Sequence, residues 1–419
     1  MRDTEVAEVS AELDDFVARV FVSLPRVDQR AKGCLYLRGL MLDGRRKSMQ
    51  PMGERLGVDY QQLQQFVSSS PWKVEPVRRQ LAKLAVETIH PKAWVIDDTG
   101  FKKDGTSSPC VARQYSGTLG KVGNCQIGVS VHAATDAASC PLNWRLFVPE
   151  SWDDTCADSN DTAAMIGVRR QQAKIPDTVR HRTKWALALE MIDELASWGL
   201  RPPVVVADAG YGEITAFRLA LTNRSIPYVL AVKSSTTAHL ADRVPEKLET
   251  TGRGHPSLAR YRSKPSSLRE LAQVAGRRQL HQVTWRKGTK TGPANRTAAM
   301  RSRFLALRVR PANRDIPLAD DGSLPAQWLL AQWPARAVEP TDYWISDLPA
   351  DTPISTLVRL AKMRWRIEND YRELKTGLGL AHFEGRTFNG WHRHTTLVTA
   401  AHLFITQIRL TRPKADGAA

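Results

Sequence analysis

The order of apolar and polar positions in the middle of the chain predicts a mixed α/β fold. Three apolar runs with β character come first, AWVID (residues 93–97), CQIGVSVHAAT and CPLNWRLFVPE, with a glycine-rich turn in QYSGTLGKVGN. A helix follows, because TKWALALEMIDELASWGL has apolar residues at helical spacing and ends at Gly199. PPVVVADAGYG then reads as a buried strand, AFRLALTNRS as a helix and PYVLAVK as another strand. This order predicts a mixed sheet with helices packed on both faces.

The first 90 residues carry a different pattern, which predicts a helical N-terminal domain. KSMQPMGERLGVDYQQLQQFVSSSPW reads as a helix, a turn at Gly57 and a second helix with Asp59 as its N-cap. In a DNA-binding helix-turn-helix, the exposed start of the second helix would carry Tyr60, Gln61, Gln62 and Gln64. Gln side chains can pair with adenine edges. A plain helical hairpin that packs on the α/β domain explains the same pattern equally well.

The composition favours a polyanionic partner. The 419 residues include 60 Lys and Arg against 43 Asp and Glu, a formal net charge of +17 with a pI near 9.9. Nucleic acid is the first candidate and an anionic membrane is the rival. No apolar run reaches the roughly 18 residues of a membrane span, and MRDTEVAEVSAELDD is acidic where a signal peptide would be basic. The chain is therefore predicted to be a cytoplasmic, nucleoid-associated protein without a membrane partner.

Most of the excess charge lies in one window, residues 253–310. These 58 residues hold 15 Lys or Arg and a single acid, Glu270, so they carry +14 of the net charge. Within the window, HQVTW and RFLALRV have the alternating apolar character of strands and include Trp285 and Phe304. A disordered basic linker would lack such runs. The pattern therefore favours a folded, basic, β-rich insertion.

Three carboxylates fall at positions where a metal site can be built. Asp97 ends the first strand, Asp208 ends the strand after the long helix, and Glu368 lies in a late helical stretch, RWRIENDYRELKTGLGL. The ends of adjacent strands point into one crevice outside a sheet, and a helix across that crevice can supply a third ligand. Hard oxygen ligands suit Mg²⁺ or Mn²⁺. Two such ions can activate a water and stabilise the leaving 3′ oxygen in phosphodiester cleavage.

The late helical stretch places one acid between two bases. At about 100° per residue, Arg364, Glu368 and Lys375 share one narrow face of a continuous helix. Asp370 and Glu373 project away from this face, so both are predicted to be dispensable for catalysis. A Glu between two bases is also common on solvated helices, where each ion pair contributes about 0.2–0.5 kcal/mol. The spacing alone leaves both interpretations open.

Taken together and in order, these motifs resemble the DDE transposases of bacterial insertion sequences, which have an RNase H-like catalytic core. In the group concerned, the catalytic helix carries Tyr, two residues, Arg, three residues, Glu, six residues and Lys. Arg364, Glu368 and Lys375 keep this spacing, whereas Ala361 occupies the Tyr position. VIDDTG and ADAGYG are similar to the family's first and second acidic motifs. The similarity covers two stretches of the chain, residues 90–235 and 340–405.

The resemblance implies a catalytic role for the three acids. Asp97, Asp208 and Glu368 would hold two Mg²⁺ ions, for which Mn²⁺ can substitute. Alternation along the strand lets only one of the adjacent Asp97 and Asp98 point into the crevice. Relatives commonly have Thr or Ser two positions after the first Asp, as Thr99 is here, so Asp97 is the predicted ligand.

The resemblance also implies DNA contacts. Arg364 and Lys375 would contact phosphate beside the scissile bond. Relatives insert a β-rich domain between the second Asp and the Glu, which 159 residues separate here. An aromatic side chain of that insertion can stack on a flipped base, for which Trp285 is the candidate; a half-buried strand Trp is the alternative. The basic side chains after it, also predicted to bind DNA, are Arg286, Lys287 and Lys290.

The predicted protein is a transposase that acts as a homodimer on double-stranded DNA, binds terminal inverted repeats, cleaves at the element ends and joins the 3′ ends to target DNA. The predicted parts are a DNA-binding domain (1–90), two core segments (91–235 and 341–410), the basic insertion between them (236–340) and a tail (411–419). One alternative is an RNase H-like nuclease or resolvase that cuts without joining. Another is a domesticated DNA-binding protein without catalysis.

Overall fold

The computed structural model describes residues 3–247, 259–286 and 299–412. The chain divides into two compact units. The first comprises Met1–Lys92, Ile96–Arg201 and Arg366–Ala419, and the second comprises Ala93–Val95 and Pro202–Trp365. Strand β1 (Ala93–Lys102) therefore begins in the second unit and continues in the first. The five-part division expected from the sequence stays a prediction.

The first unit begins with the predicted helical segment. Its helices are α1 (Asp3–Val20), α2 (Val27–Met41), α3 (Met49–Leu56), α4 (Tyr60–Ser68) and α5 (Val74–Ile89). The predicted helix, turn and helix are confirmed. Gly57 ends α3 at a φ of 66°, a left-handed conformation that glycine adopts without a Cβ clash. The Asp59 side chain accepts a hydrogen bond from the Gln61 N–H at 2.8 Å and so caps α4.

The predicted strands and helix of the first unit are also confirmed. In chain order, the elements after β1 are β2 (Ala112–Ser116), β3 (Lys121–Ala134), β4 (Ser139–Leu146), α6 (Asn160–Gln172) and α7 (Lys184–Ser197). β3 pairs antiparallel with β2 and with β4, and in the latter pair Ser130 lies opposite Trp144. Most of β3 is buried. Polar side chains of β3 contact the late helix of this unit and hold it in place.

The first unit is completed by α12 (Trp365–Arg372), which starts at the last residue of the second unit, and by α13 (Phe388–Thr411). α13 is buried along most of its length although many of its residues are polar. Its threonines donate to helix carbonyls; for example, the Thr399 hydroxyl donates to Thr395 O at 2.8 Å. Such bonds satisfy the buried hydroxyls inside the helix itself. Within the described ranges, no helix has the length and apolar character needed to cross a membrane.

The second unit contains the remaining strands. Its elements are β5 (Val205–Ala207), α8 (Ala209–Gly212), α9 (Thr215–Asn223), β6 (Tyr228–Val232), β7 (Thr237–Leu240), β8 (Ser266–Ser267), α10 (Leu268–Ala275), β9 (His281–Arg286), β10 (Met300–Pro311), β11 (Gln327–Gln332), β12 (Asp342–Ser346) and α11 (Ile354–Lys362). The strand order is β5-β6-β12-β11-β10-β7-β8, with β9 paired to β10. β5 and β6 are parallel, and the other pairs are antiparallel. The RNase H-like, mixed α/β fold class is confirmed.

The basic window contributes its strands to this same sheet. β9 and β10 are the two strands predicted there, and both are confirmed. β10 is joined through β11 and β12 to β6, so the insertion continues the strand order of the core. At the other side, the Trp94 N–H of β1 donates to Val204 O at 2.8 Å, just before β5. The two strands that lead to the predicted aspartates are therefore hydrogen-bonded near their starts.

Candidate active site

Asp208 occupies the junction between β5 and the short helix α8. Its side chain accepts a hydrogen bond from the Gly210 N–H at 2.9 Å and acts as the N-cap of α8. Gly212 closes the turn, and a Cβ there would lie 2.0 Å from Ala231 O, so the ADAGYG motif needs a glycine at this position. The other carboxylate oxygen lies 3.5 Å from Arg364 Nη1. In the second unit, Asp208, the second predicted acid, therefore lies close to Arg364, which is predicted to contact a DNA phosphate.

Asp97 lies in the middle of β1, so the prediction that it ends the strand is wrong: the strand continues to Lys102. Asp97 and Asp98 have different surroundings there. Asp97 is buried, with 8% of its surface exposed, and one of its oxygens accepts the Asp98 N–H at 2.8 Å. Asp98 accepts a hydrogen bond from Lys184 Nζ, on α7, at 2.9 Å. This charge-assisted pair gives Asp98 a partner on a neighbouring helix. The two carboxylates therefore differ in their contacts. The assignment of Asp97 as a metal ligand stays a prediction.

The late stretch is not one continuous helix, so the predicted single stripe is wrong. α11 ends at Lys362, Arg364 lies in a turn, and Glu368 is exposed on α12. Residues Glu373–Gly377, which include Lys375, form a π-helical turn. A rotation of 100° per residue holds only within a regular α-helix, and a π-turn accommodates an extra residue. Arg364, Glu368 and Lys375 therefore do not lie on one face of one helix.

Lys375 reaches back to β1 from the π-helical turn. Its ammonium donates to Gly100 O at 2.7 Å and lies 5.3 Å from the centre of the Phe101 ring. Burial lowers the pKa of Lys375 to about 8. A phosphate placed beside this ammonium would favour its charged form, because an opposite charge counteracts desolvation.

Asp370 is buried, an environment that its predicted projection away from Glu368 does not reveal. Only 5% of its surface is exposed. Its carboxylate accepts hydrogen bonds from Ser139 Oγ at 2.7 Å and from His132 Nδ1 at 3.0 Å. His132 Nε2 is bonded in turn to Ser130 Oγ at 2.9 Å, and Ser130 Oγ to the Tyr371 hydroxyl at 2.7 Å. We call these five residues the Asp370 network; it ties α12 to β3 and β4.

The charge of Asp370 is stabilised within this network. Burial raises its pKa, but the hydrogen bond from His132, the charge of His402 and the bond from Ser139 together hold the pKa below its ordinary value. Tyr371 is buried as well, and burial raises the pKa of its hydroxyl well above the usual range.

Glu373 has a different setting: it is half-buried and forms an ion pair with Arg409 at 2.7 Å. Nothing in the local sequence signals that Asp370, and not Glu373, faces the core.

Trp285 belongs to a cluster of aromatic and basic side chains in the second unit. It is half-buried and packs edge-to-face on Phe304, with ring centres 5.6 Å apart. The Lys362 ammonium lies 5.6 Å above its ring and 4.8 Å above that of Trp344. This packing agrees with the half-buried strand Trp that the sequence also allowed, and stacking on a DNA base stays a prediction.

The basic side chains that follow Trp285 are only partly described. Arg286 is exposed, and its guanidinium lies 4.1 Å from the centre of the Trp365 ring. Lys287 and Lys290 lie outside the described residues. Lys362 and Trp365, which the sequence reasoning did not single out, join this cluster from the two sides of the turn that contains Arg364.

The helix-turn-helix presents the polar face that the sequence predicted. Tyr60, Gln61 and Gln64 are exposed and Gln62 is half-exposed, whereas the apolar side of α4 is buried. Tyr60 and Gln64 line a cavity of about 720 Å³ in the first unit. Basic side chains from two other segments line the same cavity, namely Arg46, Lys47 and Arg386. A polyanion seated along α4 would meet these cations.

The donor chemistry of the three acids suits a hard divalent cation, because all three are carboxylates. Among the described residues, no group of three or more His, Cys, Asp or Glu side chains is close enough to hold a metal ion. The metal ligands therefore stay predictions based on chemistry and sequence position.

Comparison with known proteins gives findings that are independent of the structure. The sequence profile of the DDE superfamily endonucleases matches residues 19–292 of this chain. A probable transposase for insertion sequence element IS701 from Microchaete diplosiphon is 29% identical over 209 residues. The aligned region covers 49% of this chain and 49% of that protein, so the chain spans about half the length of this curated relative. The profile match includes Asp97 and Asp208 and ends before Glu368.

Proposed function

Because this chain belongs to the DDE superfamily endonuclease family, we propose that it is the transposase of an insertion sequence. It binds the terminal inverted repeats of double-stranded DNA, cleaves at the element ends and joins the 3′ ends to target DNA, working as a homodimer on the nucleoid. The observation that carries the proposal is the family match across both aspartate motifs, one within β1 and the other directly after β5. The transposase similar to this chain over half its length supports the same activity.

Three carboxylates of this chain do the chemical work in the proposal. Asp97, Asp208 and Glu368 would hold two Mg²⁺ ions, with Mn²⁺ as a substitute. When bound, such ions supply Lewis-acid activation of water and charge stabilisation at the leaving oxygen. Arg364, 3.5 Å from Asp208, would keep this carboxylate oriented and contact a DNA phosphate. Lys375 is the second cation offered to phosphate.

DNA is recognised in this proposal by α3 and α4. The exposed Tyr60 and Gln64 line a cavity together with Arg386, so base edges and backbone phosphates would meet different side chains of one surface. The aromatic and basic cluster around Trp285 and Arg286 provides a second DNA contact, in which Trp285 stacks on an unpaired base.

A cleavage and joining assay tests the proposal against its alternatives. Purified protein, Mg²⁺ and DNA with candidate element ends should give nicks at the 3′ ends and, with target DNA added, joined products. Nicks without joined products would favour an RNase H-like nuclease or resolvase. Binding without either product would favour a domesticated DNA-binding protein.

Replacement of the two adjacent aspartates should give opposite results. Asp97→Asn should abolish cleavage, because it removes an anionic metal ligand. Asp98→Asn should leave measurable activity, because Asp98 is engaged by Lys184. Nicking is measured at matched DNA occupancy, and melting curves check that both variants fold. The reverse ranking would place the ligand at Asp98.

The salt dependence of DNA binding should report on the basic window. Replacement of Arg286, Lys287 and Lys290 by Ala should flatten the slope of log affinity against log salt by up to about 0.9 for each DNA phosphate that the variant no longer neutralises. The matched single variants are Arg286→Ala and Arg314→Ala, since the Arg314 side chain is 95% exposed in the same unit. An unchanged slope in the triple variant, or equal slopes in the two single variants, would show that DNA does not bind along β9.

A further inference from the structure

A second cavity of the first unit lies apart from the three acids. It has a volume of about 550 Å³ and is built from the start of α5, the end of β4, residues 178–194 and the first turns of α13. None of the predicted catalytic or DNA-binding residues lines it. Its volume is in the range of sites that bind small molecules.

The cavity wall carries an excess of positive charge. Six cationic side chains line it against three carboxylates: Lys73, Arg78, Arg145, Arg180, Arg182 and Arg393 against Glu75, Glu190 and Glu194. Three of the cations have acidic partners. Arg145 pairs with Glu194 at 2.8 Å, Arg182 with Glu190 at 3.7 Å, and Arg180 with Asp154 at 2.6 Å. The charges of Lys73, Arg78 and Arg393 are left without such pairs in the described part of the chain.

Arg78 and Arg393 are also buried, each with 7% of its surface exposed. Arg78 donates to Asn143 Oδ1 at 3.1 Å, to Trp144 O at 3.3 Å and to His392 Nδ1 at 3.2 Å. His392 accepts as a neutral ring, because burial and then the charges of Arg78 and Arg145 hold its pKa well below the usual value.

Arg393 likewise has neutral acceptors. It donates to Val67 O at 3.0 Å and to Trp72 O at 2.9 Å. In both arginines, the buried Nε has no hydrogen-bond partner. Burial, with a smaller effect of Arg145, lowers the pKa of Arg78 to about 9, which shows how strongly its charge is disfavoured here. The charges of Glu194 and Glu75 offset only part of this effect on Arg78. Among the described residues, neither buried arginine has a salt-bridge partner, and such cations are costly to bury unless an anion neutralises them.

We propose that this cavity binds a phosphate group, either of a free nucleotide or of a DNA strand. Guanidinium groups offer paired donors that match phosphate oxygens, and several cations in one wall favour a multiply charged anion. The first turns of α5 and α13, helices of 16 and 24 residues, also border the cavity, so the positive ends of both helices lie near it. Trp72 and Phe388 add apolar side chains to the same wall.

Calorimetric titration with pyrophosphate, without divalent metal and at constant ionic strength, tests this site independently of DNA cleavage. Saturable binding is expected. Lys73→Gln and Arg182→Gln, both at exposed positions of the wall, should each weaken it about tenfold, as expected when a charged group that binds the anion is removed. The matched control is Arg79→Gln, which removes the same charge from an exposed position of α5 outside the cavity. Arg78→Lys should bind more tightly than Arg78→Gln.

The outcomes decide the proposal and identify the source of the phosphate. Equal weakening in Arg79→Gln and Lys73→Gln, or no saturable binding by the parent, would overturn it. If Arg78→Gln does not fold, the comparison between Lys73→Gln and Arg79→Gln still decides. Competition by ADP but not by a single-stranded oligonucleotide would indicate a free nucleotide, and competition by the oligonucleotide would indicate a DNA backbone. Either result can occur with or without transposition activity.

Discussion

Glu368→Gln should abolish Mg²⁺-dependent nicking of element-end DNA and leave DNA binding intact. Gln keeps the size and helix propensity of Glu but replaces an anionic metal ligand with a weaker, neutral one. Glu368 is exposed on α12, so the substitution should not disturb the core. A loss of at least about a hundredfold in nicking rate is expected, because even residues that support metal ligands are worth 10–100-fold. The rate is compared with that of the parent at matched DNA occupancy.

Glu373→Gln is the matched control for this substitution. It makes the same chemical change five positions later, where the carboxylate pairs with Arg409 at a site 44% exposed. The Arg409 side chain is 58% exposed, and ion pairs this open to solvent contribute little, so this variant should nick nearly as fast as the parent. Partial rescue of Glu368→Gln by Mn²⁺ is compatible with a weakened oxygen site but is not required. Parental nicking by Glu368→Gln would identify Glu368 as a solvated helix residue and remove it from the catalytic assignment.

The strands and turns that lead to the candidate acids could be predicted because their signals are local. A buried apolar run that stops at an acid determines where β5 ends, and the glycines of ADAGYG supply the close turn after it. The same holds for α3 and α4, where Gly57 and Asp59 give a stop and a start within three residues. Such signals need no knowledge of distant partners.

The geometry around Glu368 could not be predicted in this way, because it depends on partners far along the chain. The turn at Arg364 and the π-helical turn at Lys375 interrupt the helical rotation, while their side chains contact Asp208 and Gly100. Helix propensity alone does not reveal such interruptions. Likewise, a helical projection cannot tell a solvated Asp from one that meets a histidine 238 positions earlier, as Asp370 does.

Asp370→Ala should strongly destabilise the first unit. The variant removes the acceptor of Ser139 Oγ and His132 Nδ1, both within the core. Buried donors left without partners cost about 1–3 kcal/mol each, so a total of about 2–6 kcal/mol is expected for the two. For a unit of this size, this loss corresponds to a fall in Tm of roughly 4–24 °C. Thermal unfolding followed by circular dichroism measures it.

Arg372→Ala, two positions later on the exposed side of α12, is the control for this change and should shift stability by no more than about 0.5 kcal/mol. Asp370→Asn should fall between the two, since its amide oxygen can still accept one of the hydrogen bonds while its NH₂ group meets a donor. Because the Asp370 network joins α12 to β3 and β4, loss of nicking by Asp370→Ala should follow its loss of folded protein. A variant that melts like the parent yet cannot nick would instead give Asp370 a direct part in the chemistry.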